Sequence, residues 1–146
     1  MSIDKILLTF IINSKHEIRN SKQIIMTEII NQKHYDLEER TFKFAKRVRQ
    51  FIKKLPKNLN NYEDSSQLVR ASGSVGANYI EANESISKKD FILRIKISRK
   101  EAKESRYWLE LVDINNNSNL EIERKELINE STELMKIFSA IMRKCQ

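Results

Sequence analysis

Between Gln67 and Val112 the chain reads QLVRASGSVGANYIEANESISKKDFILRIKISRKEAKESRYWLELV, and the first half of that stretch holds both glycines of the protein, Gly73 and Gly76. They stand inside a run of small residues, Ala71 to Ala77. The run reads as helix, because Leu68, Val75, Tyr79, Ala82 and Ile86 keep helical spacing through it. A mid-helix glycine costs about 1 kcal/mol relative to alanine, so two within one turn need a compensating gain. Close approach of a second helix supplies one, since a backbone without Cβ atoms lets its neighbour come nearer. The segment is therefore expected at a tight helix–helix contact.

A chain of 146 residues fits one domain with a modest core. One proline and two glycines leave few turns and long uninterrupted elements. At this length that favours an all-α fold, a helical bundle. The single cysteine, Cys145, excludes a disulfide within the chain and fits a reducing, cytoplasmic setting. Neither a CxxC pair nor a Cys/His cluster is present, so no zinc site and no cofactor are expected.

Residues 1–25 differ from the rest. Their apolar run, Ile6-Leu7-Leu8-Thr9-Phe10-Ile11-Ile12, is shorter than the roughly 20 residues a membrane-spanning helix needs. It also lacks the small-residue cleavage site of a secretory signal. Two readings are open. Translation starts at Met26 and the upstream segment is a misassigned extension, or that segment is an extra helix or strand packed on the bundle. The first is favoured, because residues 26–146 already account for a complete bundle.

The first helix is expected from about Asp36 to Leu55. Asp36 and Glu39 have capping-box spacing, and Leu37, Thr41, Phe44, Val48, Phe51 or Ile52, and Leu55 form an apolar stripe. Pro56 stops it, and Lys57-Asn58-Leu59-Asn60-Asn61 reads as a turn. The second helix is expected from about Asp64 to Glu84. The third is expected to be capped by Ser87 with Asp90, stapled by Ile86 and Phe91, and to run to about Ile114, a length of about 40 Å. Asn115-Asn116-Asn117 breaks the chain there. Ser118 and Glu121 are expected to cap the fourth helix, which runs to about Lys144.

Two of these helices carry more apolar surface than a lone bundle needs. The third has Phe91, Ile95, Ser98, Ala102, Leu109 and Val112 on one face, and Leu93, Ile97, Trp108 and Leu111 on another. The fourth has Leu127, Leu134, Phe138, Ile141 and Cys145, with Ile128, Met135 and Met142 beside them. Either the core is wide or a second stripe is a subunit interface. The expectation is a homo-oligomer.

The segment from Gln67 to Asn78 followed by Glu81-Ala82, together with Ser87-Lys88-Lys89-Asp90-Phe91, Lys100-Glu101-Ala102 and Tyr107-Trp108-Leu109-Glu110-Leu111, resembles the signature of the four helix bundle proteins, also called 23S rRNA intervening-sequence proteins. The resemblance covers about residues 33 to 144 and leaves residues 1–25 outside. It implies an antiparallel four-helix bundle that assembles into a ring of five subunits. Some relatives are encoded inside insertions within bacterial 23S rRNA genes. A related branch, the accessory variability determinants of diversity-generating retroelements, joins a reverse transcriptase and its RNA. The family name records gene location, and no activity is established for most members.

Arg70, Asn78 and Glu81 stand at motif positions with Gly73, Gly76 and Trp108. Spacings of eight and eleven residues put Arg70, Asn78 and Glu81 near one helix face. They read as interhelical hydrogen bonds that fix register, or else as a polar binding patch. Gly73-Ser74-Val75-Gly76 matches a GxxG nucleic-acid clamp in letters only, since that clamp works in a loop. Paired glutamates, Glu81/Glu84 and Glu101/Glu104, lack the Glu-x-x-His partners of di-metal bundles; the only histidines are His16 and His34. No nucleophile–base pair is visible, so no catalytic residue is named and the protein is not expected to be an enzyme.

Net charge is +7 and its excess is uneven. From Asp36 to Lys57 eight basic and three acidic residues give +5, and from Ser87 to Asp113 eight and five give +3. The candidate nucleic-acid-binding residues are Arg40, Lys43, Lys46, Arg47, Lys53 and Lys54 on the first helix, and Lys96, Arg99, Lys100 and Lys103 on the third. A basic face attracts polyanions, or else merely keeps the surface solvated. Two functions follow as expectations. One is a non-enzymatic oligomer that binds structured RNA or a ribonucleoprotein by charge and shape. The other is a scaffold that recruits a partner protein, such as a reverse transcriptase, without touching RNA. No membrane partner is expected.

Overall fold

A computed structural model describes residues 19–26 and 37–145. The chain divides into two units, at Met1–Leu37 and Glu38–Gln146. In the first, residues 19–26 are helical, with Ile24, Ile25 and Met26 exposed. The Ile6–Ile12 run, both histidines and the Asp36 cap lie outside the described residues.

The second unit is built from four helices: α1 over residues 37–52, α2 Leu59–Asn83, α3 Lys88–Leu111 and α4 Ser118–Lys144. The described residues contain no strand. After α1 the Lys54 and Leu55 amides bond back three residues to Phe51 and Ile52, tightening the last turn before Pro56.

Several boundaries differ from expectation. α2 begins at Leu59, five residues before Asp64, because Asn58 is its cap: the Asn58 side-chain oxygen accepts the Asn61 amide at 2.8 Å. α4 is capped by Asn117, not Ser118, through the Leu120 amide at 3.0 Å. The Ser87 cap of α3 forms, accepting the Asp90 amide at 3.1 Å. The staple beside it does not, since Ile86 is 99% exposed. α3 ends at Leu111, ahead of Ile114. The break beyond it uses two left-handed residues, Asn115 at φ 52° and Asn116 at φ 56°, a conformation that asparagine tolerates better than most side chains.

Cross-helix pairs define the topology. Asn83 of α2 donates to Glu38 of α1, while further along α1 Arg49 lies against Gly73, so α1 and α2 are antiparallel. Ser98 and Arg94 of α3 donate to Val75 and Asn78 of α2, again in descending order. Arg99 of α3 reaches Ser139 of α4, and Val112 at the end of α3 accepts from Arg124. Arg40 and Arg47 of α1, and Lys54 in the turn that follows it, meet Glu130, Glu126 and Glu123 of α4, closing the cycle. Each helix thus packs on two antiparallel neighbours, with α1 diagonal to α3.

The core takes Phe44, Val48 and Phe51 from α1, Leu68, Val75 and Tyr79 from α2, Ile95 and Leu109 from α3, and Leu127, Leu134 and Phe138 from α4. The Tyr79 and Phe138 rings meet across the centre at 5.9 Å. Small buried residues lie on both helices of the α2–α3 pair, Ala71 and Ser72 on α2 and Ser98, Ala102 and Ser105 on α3, and Ser98 bonds across to Val75. Their hydroxyls bond backbone carbonyls, so burial leaves them satisfied.

Candidate nucleic-acid interface

The glycine segment is helix throughout and sits at a close contact, and the neighbour is α1. A Cβ on Gly76 would stand 2.9 Å from the Thr41 hydroxyl, and one on Gly73 would stand 3.3 Å from the Arg49 guanidinium. A continuous helix presents no GxxG loop. On the outside of this seam Phe42, Ala45, Lys46, Arg49 and Ile80 flank a shallow apolar groove floored by Gly73, Gly76 and Ala77.

The other motif residues do not form one bonded set. Asn78 donates to the Ser74 carbonyl at 2.9 Å and accepts weakly from Arg94 of α3 at 3.4 Å. Arg70 and Glu81 are exposed. The expected register-fixing bonds therefore reduce to Asn78. The residue that ties distant segments is Asn61, which the sequence reading placed in a turn. Its buried amide donates to Pro56 and Asp113 carbonyls, each at 2.9 Å, and accepts the Asp113 amide at 2.8 Å. Trp108 is half-buried, with its indole N–H on Glu104 at 3.3 Å.

The ten basic candidates fall into two groups on opposite sides of the bundle. On α1 and the turn after it, Arg40, Arg47 and Lys54 recur every seven residues along the edge facing α4. Arg40 binds Glu130 with two bonds of 2.6 and 3.0 Å, Arg47 binds Glu126 at 2.6 Å, and Lys54 binds Glu123 at 2.9 Å. Lys43 pairs with Glu39 at 2.6 Å. Most of the α1 charge is thus neutralised within the fold, and Lys46 and Lys53 alone of the six lie exposed beyond ion-pair reach of any described carboxylate.

On α3 the balance is different. Lys96, Lys100 and Lys103 are exposed, and no described carboxylate lies within ion-pair distance of them. Arg99 is half-buried against Ser139 at 3.5 Å and belongs to the α3–α4 seam. Lys89 joins the three lysines, a residue the sequence reading passed over. Lys89, Lys96 and Lys103 repeat every seven residues with Lys100 beside them, so they form one row on the outward side. The spacing was visible in the sequence and is the signal that finds Lys89. The nearby Arg94 and Arg106 are tied to Asp90 and Glu110. Burial pushes the Glu101 carboxyl above its ordinary range, with Glu104 adding to the shift and Lys100 opposing it.

The second apolar stripe of α3 borders the row. Leu93 and Leu111 are exposed, and Ile97 and Trp108 are half-buried, while the first stripe faces the core. Among the described residues no group of histidine, cysteine and acidic side chains is arranged to hold a metal ion. No described helix is long and apolar enough to cross a membrane.

A sequence profile of the 23S rRNA-intervening sequence protein family matches residues 33–140. A solved structure similar to this chain is that of a protein of unknown function from the S23 ribosomal protein family of Bacteroides thetaiotaomicron. It is 32% identical with a TM-score of 0.61, over 73% of this chain and 97% of that one. No curated protein matches the chain.

Proposed function

The chain belongs to the 23S rRNA-intervening sequence protein family, and from that premise we propose that it is a non-enzymatic, oligomeric bundle that binds structured RNA or a ribonucleoprotein through the outer face of α3. The observation that carries this reading is the row Lys89, Lys96, Lys100 and Lys103, four cations with no described carboxylate within ion-pair distance, where most of the α1 cations have one. Such a row gains free energy by displacing counterions from phosphates, whatever the base sequence. The bordering apolar stripe supports self-association, and the family resemblance implies a ring of five; a ring would repeat the row and turn weak contacts into avidity. A bacterial cytoplasm is the setting.

The test is the affinity for a fluorescent structured RNA across a salt series. Affinity should fall by at least about tenfold between about 50 and 200 mM salt, as several phosphate contacts require. Absence of binding at the low end, or a flat profile, removes the reading.

A second reading is favoured by the same exposed Leu93 and Leu111: a scaffold that recruits a partner protein, such as a reverse transcriptase, through apolar contact. Capture of one defined partner that survives nuclease treatment would support it over the first.

A further inference from the structure

The geometry points to a single-stranded stretch of nucleic acid as the ligand of the α3 row, with Tyr107 as the platform on which a base stacks. The inference rests on the RNA-binding reading above and adds which form of RNA the row holds and which residue grips it.

Tyr107 follows Lys103 by four residues, Lys100 by seven and Lys96 by eleven, so its Cα lies on the same line of the helix surface as the lysines. It is 55% exposed. Its ring is braced by the adjacent Trp108, the two centroids 5.0 Å apart and the planes at 77°. A braced aromatic loses little freedom when a base settles on it. Of the acids that flank it in the sequence, Glu110 is paired with Arg106 at 3.0 Å, which weakens the repulsion a phosphate would otherwise meet at this end of the row, and Glu104 is held by the Trp108 indole N–H.

From Lys89 to Tyr107 the line runs about 27 Å along the helix. A strand lying along it meets four cations and then an exposed ring. This combination, a cationic track with an aromatic face, is the one by which single strands are held without base-specific hydrogen bonds. Within a duplex every base pair but the terminal ones is stacked on both faces and cannot use the ring. α1 has no such combination: Phe42, 66% exposed, lies in the groove toward α2, away from the edge where Arg40, Arg47 and Lys54 meet α4.

The test compares an oligouridylate of about 12 nucleotides with a blunt RNA duplex of equal charge, on wild type, Tyr107→Ala and Tyr107→Phe, with matching helical circular dichroism as the folding check. Trp108 is the only tryptophan, and its emission gives a second readout at the ring pair. Tyr107→Ala should weaken oligouridylate binding about 5- to 150-fold, the worth of one stacked base. Tyr107→Phe should retain it, and duplex binding should be the same in all three. Equal oligouridylate binding by Tyr107→Ala and wild type, with salt-sensitive binding intact, overturns the stacking inference and leaves the lysine row standing. Equal damage to duplex binding overturns it as well. No binding of either RNA at low salt removes both the inference and the reading beneath it.

Discussion

The Thr41 hydroxyl lies 2.9 Å from the point where a Cβ on Gly76 would stand, and the Thr41 Cβ lies 3.2 Å from it. A β-branched side chain cannot swing away, so α1 and α2 are as close there as glycine permits. Gly76→Ala gains about 1 kcal/mol in helix propensity but meets an overpacking cost of about 1–3 kcal/mol, for a net loss near 1 kcal/mol. Thr41→Ala in the same chain should recover part of that loss. Gly73 faces only the mobile tip of Arg49, so Gly73→Ala should stabilise by up to about 1 kcal/mol. Urea unfolding of the three variants beside wild type reads the opposite signs.

Asn61 carries three side-chain bonds that join the α1–α2 and α3–α4 connections at one end of the bundle. Asn61→Leu leaves the Asp113 amide and two carbonyls without their part-buried partner. The expected loss is about 2–4 kcal/mol, with faster amide exchange at Asp113 as the local signature.

The α1–α4 ion pairs should not contribute equally. Arg40 and Glu130 are the more buried pair, at 35% and 23% side-chain exposure, and share two bonds. A double-mutant cycle with Arg40→Gln and Glu130→Gln should give a coupling of about 1–2 kcal/mol, against less than about 1 kcal/mol for the exposed Arg47–Glu126 pair. Added salt should shrink the second coupling more than the first.

Glu101 predicts a pH effect. Its carboxyl is raised in the folded chain by burial, then by Glu104, against Lys100. A raised carboxyl means the folded state binds the proton more tightly than the unfolded one. The stability this lends is present in full below the unfolded value and is lost as pH rises through the folded one. Glu101→Gln should therefore melt higher than wild type at neutral pH, and the gap should close below about pH 4. A constant gap across that range would contradict the assignment.

Much of the bundle was legible because apolar spacing states which helix face is buried. The Leu68–Val75–Tyr79–Ala82 line, the Ile95–Ala102–Leu109 line and the glycine contact are all read that way. What stayed hidden depends on partners far along the chain. Asn58 and Asn61 look like turn residues, and nothing local says that one caps a helix while the other bonds a residue 52 positions away. Helix-by-helix net charge makes the α1 cations look like one polyanion surface. The seven-residue spacing of Arg40, Arg47 and Lys54, set beside Glu123, Glu126 and Glu130, pointed to mutual pairing. Ile86 fitted a staple by position, but the turn before α3 carries it outward.

The most direct measurement is RNA affinity against salt for two triple variants, Lys96→Gln with Lys100→Gln and Lys103→Gln on α3, and Lys43→Gln with Lys46→Gln and Lys53→Gln on α1 and the turn after it. If the α3 row holds the phosphates, its loss should abolish most binding and flatten the logarithmic salt slope by about 2, with the α1 set close to wild type. Equal losses from the two faces, or an α3 triple that binds as tightly as wild type, would contradict the account.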